Sequence, residues 1–382
     1  MLEKNQYKKL IQIVDQKKYK TPYMITDLGI IEDKCKEFKK ELPVAKMYYA
    51  VKCFGDREVI KTIDKYADGY DIASTEEIKK LLELGIDPQR ITFSNPVKSE
   101  AALRQAHKLK VNSFAFQSYN ELLKIKKCAP GSKVYLRVKV SDSTSSIAFS
   151  SKFGVDPSHA KGLLLSAKQL GLEPAGLTFH VGSQAVDTSV WDSALFTCHS
   201  IIEELRPEGI NIELINLGGG YPVQYKGSDP TLRQTSKEIK DAIDRHTPYI
   251  TNYIAEPGRY VVADSSAIVT TVIGVEERGK ETWLYLDTGT FQSFIEIFEF
   301  HDFPYPVYSL AHLSGKIPTT RTQEYVLTGP SCDSYDTMAH GIRLPKDIAV
   351  GDKVLIGMTG AYTIVYGSNF NGFKVPPRKF IN

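Results

Sequence analysis

The chain has 382 residues, beyond the roughly 250 to 300 at which a single hydrophobic core stops growing, which predicts one large domain and a smaller one. Hydrophobic residues make up 42% and charged residues 24%, ordinary globular usage that excludes fibrous, disordered and repeat proteins. Lys and Arg total 48 against 45 Asp and Glu, and the net charge of +3 is gathered in no basic tract of the kind that binds nucleic acid.

The N-terminal MLEKNQYKKLIQ mixes charged and apolar residues and does not read as a signal peptide. Nothing downstream approaches the ~18 consecutive apolar residues of a membrane span. Cys35, Cys53, Cys128, Cys198 and Cys332 are odd in number and scattered, which argues against a disulfide framework and against a zinc site. These features together predict a soluble, cytoplasmic protein without a structural metal.

From about residue 45 to 256, short β-rich runs alternate with segments of helical periodicity, the pattern of parallel strands joined by crossover helices. The predicted strands are 47–52, 69–73, 90–95, 112–116, 134–140, 176–181, 212–218 and 249–257. Between them, EEIKKLLELG (76–85) sets Ile78, Leu81 and Leu82 on one helical face with Gly85 as a C-cap, and AKGLLLSAKQLG (160–171) reads the same way. Eight strands suggest a closed barrel, although an open doubly wound sheet gives the same alternation. After Asp264 the texture turns to strand-like runs, 266–277, 282–287, 324–329 and 353–358, which predict an all-β domain. Phe298 to Pro318, rich in proline and aromatics, reads as an irregular loop or short helical turn.

A parallel barrel carries its active site at the carboxyl ends of its strands. In the predicted register those ends present Lys52, Asp71, Arg137, His180, Gly218-Gly219-Gly220 and Glu256, with Arg259 just beyond. A lysine at the end of an apolar strand is partly desolvated, which lowers its pKa and leaves an amine able to form an imine; a snorkelling lysine is the plainer alternative. Three glycines let the backbone approach an anion closely, as a phosphate site requires, or simply form a tight turn. Arg259 supplies a permanent cation for the same anion. Glu256 needs a cationic partner, either a protonated pyridine nitrogen or Arg259 in a structural ion pair. His180, with no second ligand at metal spacing, reads as a ring able to stack on a flat cofactor or as an ordinary core histidine, and Ser183 stands beside it as a phosphate donor.

The segments YYAVKC (48–53), DIASTEE (71–77), FHVGSQ (179–184), NLGGGYP (216–222), AEPGRY (255–260), GPSCDSYD (329–336), TGAYT (359–363) and FNGF (370–373) together resemble the fold-type III pyridoxal 5′-phosphate (PLP) dependent decarboxylases, the ornithine/diaminopimelate/arginine decarboxylase family. The likeness is strongest to its short bacterial ornithine/lysine branch. The resemblance implies an α/β fold, a PLP-binding (β/α)8 TIM-like barrel over 28–265 with an all-β domain formed by 1–27 and 266–382, as in alanine racemase. It further implies that Lys52 holds PLP, that His180 stacks on its ring, that Glu256 pairs with its nitrogen, and that Ser183, Gly219, Gly220, Arg259 and Tyr362 hold its phosphate. Asp71 and Arg137 match residues beneath and beside the cofactor.

In that family two subunits share each site in a homodimer, and Cys332 and Asp333 match the residues supplied by the other subunit. Cys332 is then the proton donor to the substrate's α-carbon; alone it reads as a small buried hydrophobe. An acidic residue in the turn of DTGTFQSFIEIFEF (287–300) is implied to read the distal amine, with Glu299 aligned there and Glu296 as rival. The implied reaction is decarboxylation of ornithine or lysine. The alternatives are the same chemistry on diaminopimelate or on a modified amino acid of siderophore or antibiotic biosynthesis, and a non-enzymatic relative resembling antizyme inhibitors. Alanine racemases share the barrel and lysine, but GPSCD and AEPGR fit the decarboxylases better.

Overall fold

A computed structural model of the chain describes residues 8–17, 19–141, 143, 145–148, 151–300, 303–315 and 321–382. The signal-peptide reading of the extreme N-terminus, and residues 301–302 and 316–320 of the proline-rich stretch, lie outside them. The chain forms two compact units, Met1–Ile31 with Val262–Asn382, and Glu32–Val261.

The first strand, β1 (Tyr23–Asp27), belongs to the former unit. The latter contains, in order, β2 (Ala45–Ala50), β3 (Gly69–Ile72), β4 (Ile91–Phe93), β5 (Ser113–Phe116), β6 (Lys133–Arg137), β7 (Ser145–Ile147), β8 (Glu173–Thr178), β9 (Ser183–Ala185), β10 (Leu214–Asn216) and β11 (Asn252–Ala255). β7 and β9 pair with each other, and the other eight close a parallel barrel in which β11 returns to β2 through Ala255 opposite Met47. Closure, which periodicity left open, is thus settled in favour of the barrel. The crossover helices follow from sequence: Thr75–Glu83 is capped by Ser74, buries Ile78 and Leu81, and ends at Gly85 in the left-handed region.

All eight predicted strands are present, but several stop short of the residues expected at their ends. β2 ends at Ala50, and Lys52 rides a helical turn, Val51–Cys53, closed by Tyr49 Oη donating to Phe54 O at 3.1 Å. β8 ends at Thr178, so His180 stands in the following loop rather than on the strand. The physical reason is that the carboxyl-end backbone bends away to make connecting hydrogen bonds, such as Glu256 N to Gly218 O and Ala50 N to Pro257 O.

The other unit is an eight-stranded sheet of β1 with β12 (Ser266–Arg278), β13 (Glu281–Leu286), β14 (Val307–Ser309), β15 (Thr322–Thr328), β16 (Thr337–Pro345), β17 (Lys353–Ile356) and β18 (Arg378–Ile381). β1 runs antiparallel to β12 and parallel to β18. Tyr23, Ile25, Val269 and Leu355 pack with Leu10 and Val14 of the helix Lys8–Lys17 in one buried cluster, each large side chain contributing about 1.5 to 3 kcal/mol. Within the stretch read as an irregular loop or short helical turn, the short helix Leu310–Leu313 agrees with that reading, whereas the strand β14 was not expected.

Candidate active site at the carboxyl ends of the barrel strands

The barrel unit gathers Lys52, Asp71, Arg137, His180, Ser183, Gly219, Gly220, Glu256 and Arg259 at or beyond the carboxyl ends of its strands. Lys52 Nζ donates to Asp71 Oδ2 at 2.7 Å; the lysine side chain is 42% exposed and the aspartate fully buried. Asp71 Oδ1 has no hydrogen-bond partner among the described residues, so part of this carboxylate's bonding capacity is left for another group. Burial pulls the Lys52 pKa down, but the charges of Asp71 and Glu256 outweigh it and hold the amine above its ordinary value. This corrects the expectation of a depressed lysine, because desolvation does not act alone here.

Glu256 is 7% exposed. Its Oε1 accepts from Asn216 Nδ2 at 2.6 Å and from Ser94 Oγ at 3.0 Å, while Oε2 has no hydrogen bond among the described residues. Burial and the neighbouring Asp71 push its carboxyl up to about 7, against the pull of Lys52. Its hydrogen-bond partners are thus Asn216 and Ser94, and the structural ion pair with Arg259 does not form. Arg259 instead donates from Nε and Nη2 to Ser183 Oγ at 3.2 and 3.1 Å, and from Nη1 to Tyr225 Oη at 3.3 Å, while 4% exposed.

The glycine turn packs too tightly for any side chain. A Cβ on Gly218, at φ +65°, would lie 2.1 Å from Phe179 O, and one on Gly220, at φ +102°, 2.4 Å from Gly182 O. At Gly219 it would meet Glu256 O at 2.9 Å and His180 Nε2 at 3.0 Å. His180 Nδ1 accepts from Gly182 N at 3.0 Å, and burial, Arg137 and Lys52 hold the imidazole well below its ordinary pKa, as a neutral ring. Asn216 serves twice, since its Oδ1 also accepts from Gly218 N at 2.9 Å. Arg137, the last residue of β6, lies 5.3 Å from the Phe153 ring centroid.

The sheet unit carries the remaining predicted residues. Cys332 is exposed rather than buried, which removes the small-hydrophobe reading, and its Sγ donates to Asn371 Oδ1 at 3.6 Å. Asp333 caps the turn at Tyr335 N. Tyr362 stands at φ +53° with its ring 5.9 Å from that of Tyr366. Glu296 is 3% exposed, with Tyr305 Oη donating to its Oε2 at 3.5 Å, whereas Glu299 is exposed at the end of the turn Ile295–Phe298.

Asn216 and Ser94 were not singled out in sequence. Ser94 does fall inside the predicted run 90–95, so the rule of inspecting polar residues at strand ends reaches it. Asp336 was missed too; fully buried, it accepts from Thr290 N at 2.7 Å and Ser331 N at 2.9 Å, which ties the turn before Glu296 to the loop of Cys332.

A closed parallel barrel with an accessible lysine, an ionisable carboxylate holding one oxygen open, and an arginine beside a glycine cradle defines a protein built for a flat, anionic, nitrogen-containing cofactor. The chain belongs to the pyridoxal-dependent decarboxylases, matching the family's pyridoxal binding domain over residues 28–263 and its C-terminal sheet domain over 259–360. It is 33% identical to the lysine/ornithine decarboxylase of Selenomonas ruminantium, over 94% of this chain and 90% of that protein. It is 32% identical to antizyme inhibitor 2 of Xenopus laevis, over 98% and 84%. The structure of the Vibrio vulnificus lysine/ornithine decarboxylase complexed with cadaverine superposes with a TM-score of 0.87 at 29% identity, covering 98% of each chain. The protein is a PLP-dependent amino-acid decarboxylase.

Proposed function

We propose that the chain removes CO2 from a basic L-amino acid of the ornithine or lysine type, with PLP held on Lys52. The observation that carries this reading is the Lys52, Asp71 and Glu256 cluster beside the Arg259–Ser183 anion cradle, in a chain whose relatives act on lysine and ornithine. When bound, PLP supplies a ring into which charge released at the substrate's α-carbon spreads.

The chain's own residues divide the remaining work. Lys52 Nζ anchors the cofactor, and Asp71 keeps that nitrogen oriented. Glu256 would accept from the ring nitrogen of the cofactor, and its carboxylate would favour the cationic ring. The neutral His180 would pack against the cofactor ring, with the positive charge of Arg137 near the imidazole. Ser183, Gly219, Gly220, Arg259 and Tyr362 hold the phosphate by charge-assisted hydrogen bonds. Cys332 delivers the proton that replaces CO2 on the α-carbon. Asp333 and the exposed Glu299 bind the distal amine, since a carboxylate reading a cation must meet it directly; Glu296, already engaged with Tyr305, is the second choice.

We further infer a homodimer with shared sites. Besides the exposed Cys332, the sheet unit exposes Tyr335, Phe298, Tyr366, Phe370 and Phe373, large aromatic side chains of the kind that subunit contacts bury. Five free cysteines support a reducing, cytoplasmic setting, and no described helix is long and apolar enough to cross a membrane.

The test of the reaction is CO2 release from ornithine, lysine, arginine and diaminopimelate, with borohydride labelling mapped to Lys52. Release from ornithine or lysine with label on Lys52 is expected, and release from diaminopimelate alone overturns the substrate class. Mixing Lys52→Ala and Cys332→Ala proteins tests the shared site: activity returns through mixed dimers if it is shared, and stays lost if it is not.

A further inference from the structure

We propose that Ser94, carried on a loop anchored by the buried Lys98–Glu121 ion pair, is a positioning residue that fixes which oxygen of Glu256 faces the cofactor. This inference rests on the reading of Glu256 as the partner of the cofactor nitrogen.

The loop between β4 and the helix Glu100–Lys108 is held at nearly every residue. Ser94 N donates to Ile72 O at 3.1 Å, Val97 N donates to Asn95 Oδ1 at 3.2 Å, and Ser99 caps the helix at Ala102 N. The centre of this framework is Lys98, whose ammonium is fully buried. It donates to Asn95 O at 2.8 Å and Ala115 O at 2.6 Å, and lies 3.1 Å from Glu121 Oε1, which also accepts from Lys98 N at 3.1 Å. Lys124 completes the pair from the other side, 2.5 Å from Glu121 Oε2. A buried ion pair is costly to desolvate and adds little net stability, whereas it does impose a geometry, because neither charge can leave its partner.

That geometry places the Ser94 hydroxyl 3.0 Å from Glu256 Oε1, where Asn216 Nδ2 also donates. With both donors on one oxygen the carboxylate cannot rotate freely, and Oε2 is the oxygen left open. The same two bonds favour the ionised form against burial and against Asp71, while Lys52 attracts it and Tyr221 stands nearby as a neutral phenol. Alanine removes the donor while leaving the backbone bond of Ser94 N to Ile72 O in place.

The experiment uses holoprotein loaded with PLP labelled with nitrogen-15 in the ring, read by NMR, beside steady-state kinetics. Ser94→Ala moves the ring-nitrogen resonance toward the unprotonated-pyridine position and lowers kcat about tenfold, the scale of one hydrogen bond to a charged group, with KM unchanged within about twofold. Ser94→Thr, which keeps the hydroxyl, restores both. Glu256→Gln is the control for the underlying reading: if it leaves the resonance unmoved, Glu256 does not face the ring nitrogen and that reading fails. If Glu256→Gln moves the resonance and Ser94→Ala does not, the role given to Ser94 is wrong while that of Glu256 stands.

Discussion

Lys52 and Asp71 form a 2.7 Å ion pair in which the lysine is accessible and the aspartate fully buried. The pair keeps the amine protonated in the cofactor-free protein, because Asp71 and Glu256 overcome the desolvation that would release the proton. Asp71→Asn removes the nearer charge, so the Lys52 amine becomes nucleophilic at lower pH. Competition labelling of cofactor-free protein with acetic anhydride, followed by peptide mapping, reads this directly. The reactivity midpoint of Lys52 shifts to lower pH in Asp71→Asn; an unmoved midpoint means that Asp71 does not govern this lysine.

Glu256 gives the cofactor-free protein a pH signature of the opposite kind. Its carboxyl rises from an ordinary 4.5 to about 7, so between these values the folded state binds more protons than the unfolded state and stability falls as pH rises. The loss amounts to about 3 kcal/mol at most over that window. Denaturant melts at pH 5 and pH 7.5 should show it, and Glu256→Gln should flatten it. Equal pH dependence in the two proteins assigns the slope to other groups.

The glycine turn separates folding from binding. Gly218→Ala combines a φ of +65° with a 2.1 Å clash against Phe179 O, and costs more than about 1 kcal/mol of stability. Gly219 has no such backbone demand, and its clashes are with Glu256 O and the His180 ring. Gly219→Ala therefore melts closer to the parent than Gly218→Ala does, yet loses PLP affinity. Equilibrium titration of PLP into both variants checks the order, and full affinity in Gly219→Ala would remove this glycine from the cradle.

Asp336 is a fully buried carboxylate whose acceptors serve Thr290 N and Ser331 N. Asp336→Ala leaves two backbone donors without their partners and costs about 2 to 5 kcal/mol. Hydrogen exchange should show faster opening at residues 289–291 and 329–332 than elsewhere in the sheet unit. Uniform loosening of the whole unit would mean that the carboxylate supports general stability rather than this junction.

The barrel strands were legible because each is a short apolar run bounded by helical periodicity, and the chemistry was legible because charged residues at the ends of apolar runs demand a reason. The strands β1, β7, β9, β14, β16 and β18 were not read. β16 contains Gly341 in the left-handed region and shifts register against β15, so its alternation is broken, and β18 is four residues long and follows two prolines. The missed site residues share another cause. Asn216, Ser94 and Asp336 act by orienting a neighbour, and only three-dimensional proximity joins Ser94 to Glu256. The sign of the Lys52 shift escaped for the same reason, since burial can be inferred from an apolar run whereas the opposing charges arrive from β3 and from the segment after β11.

The closure of β11 onto β2 also sets a schedule for the molecule's birth. Lys52 leaves the ribosome early, just past the first barrel strand, and Glu256 and Arg259 follow only after the final barrel strand. At roughly 5 to 20 residues per second, an interval on the order of ten seconds or more separates them. Throughout it the nascent sheet has an open edge on β2 that only the last strand can pair, and such edges invite mispairing with other chains. The cluster of Lys52 and Glu256 is consequently a property of the closed barrel, assembled only when β11 pairs with β2.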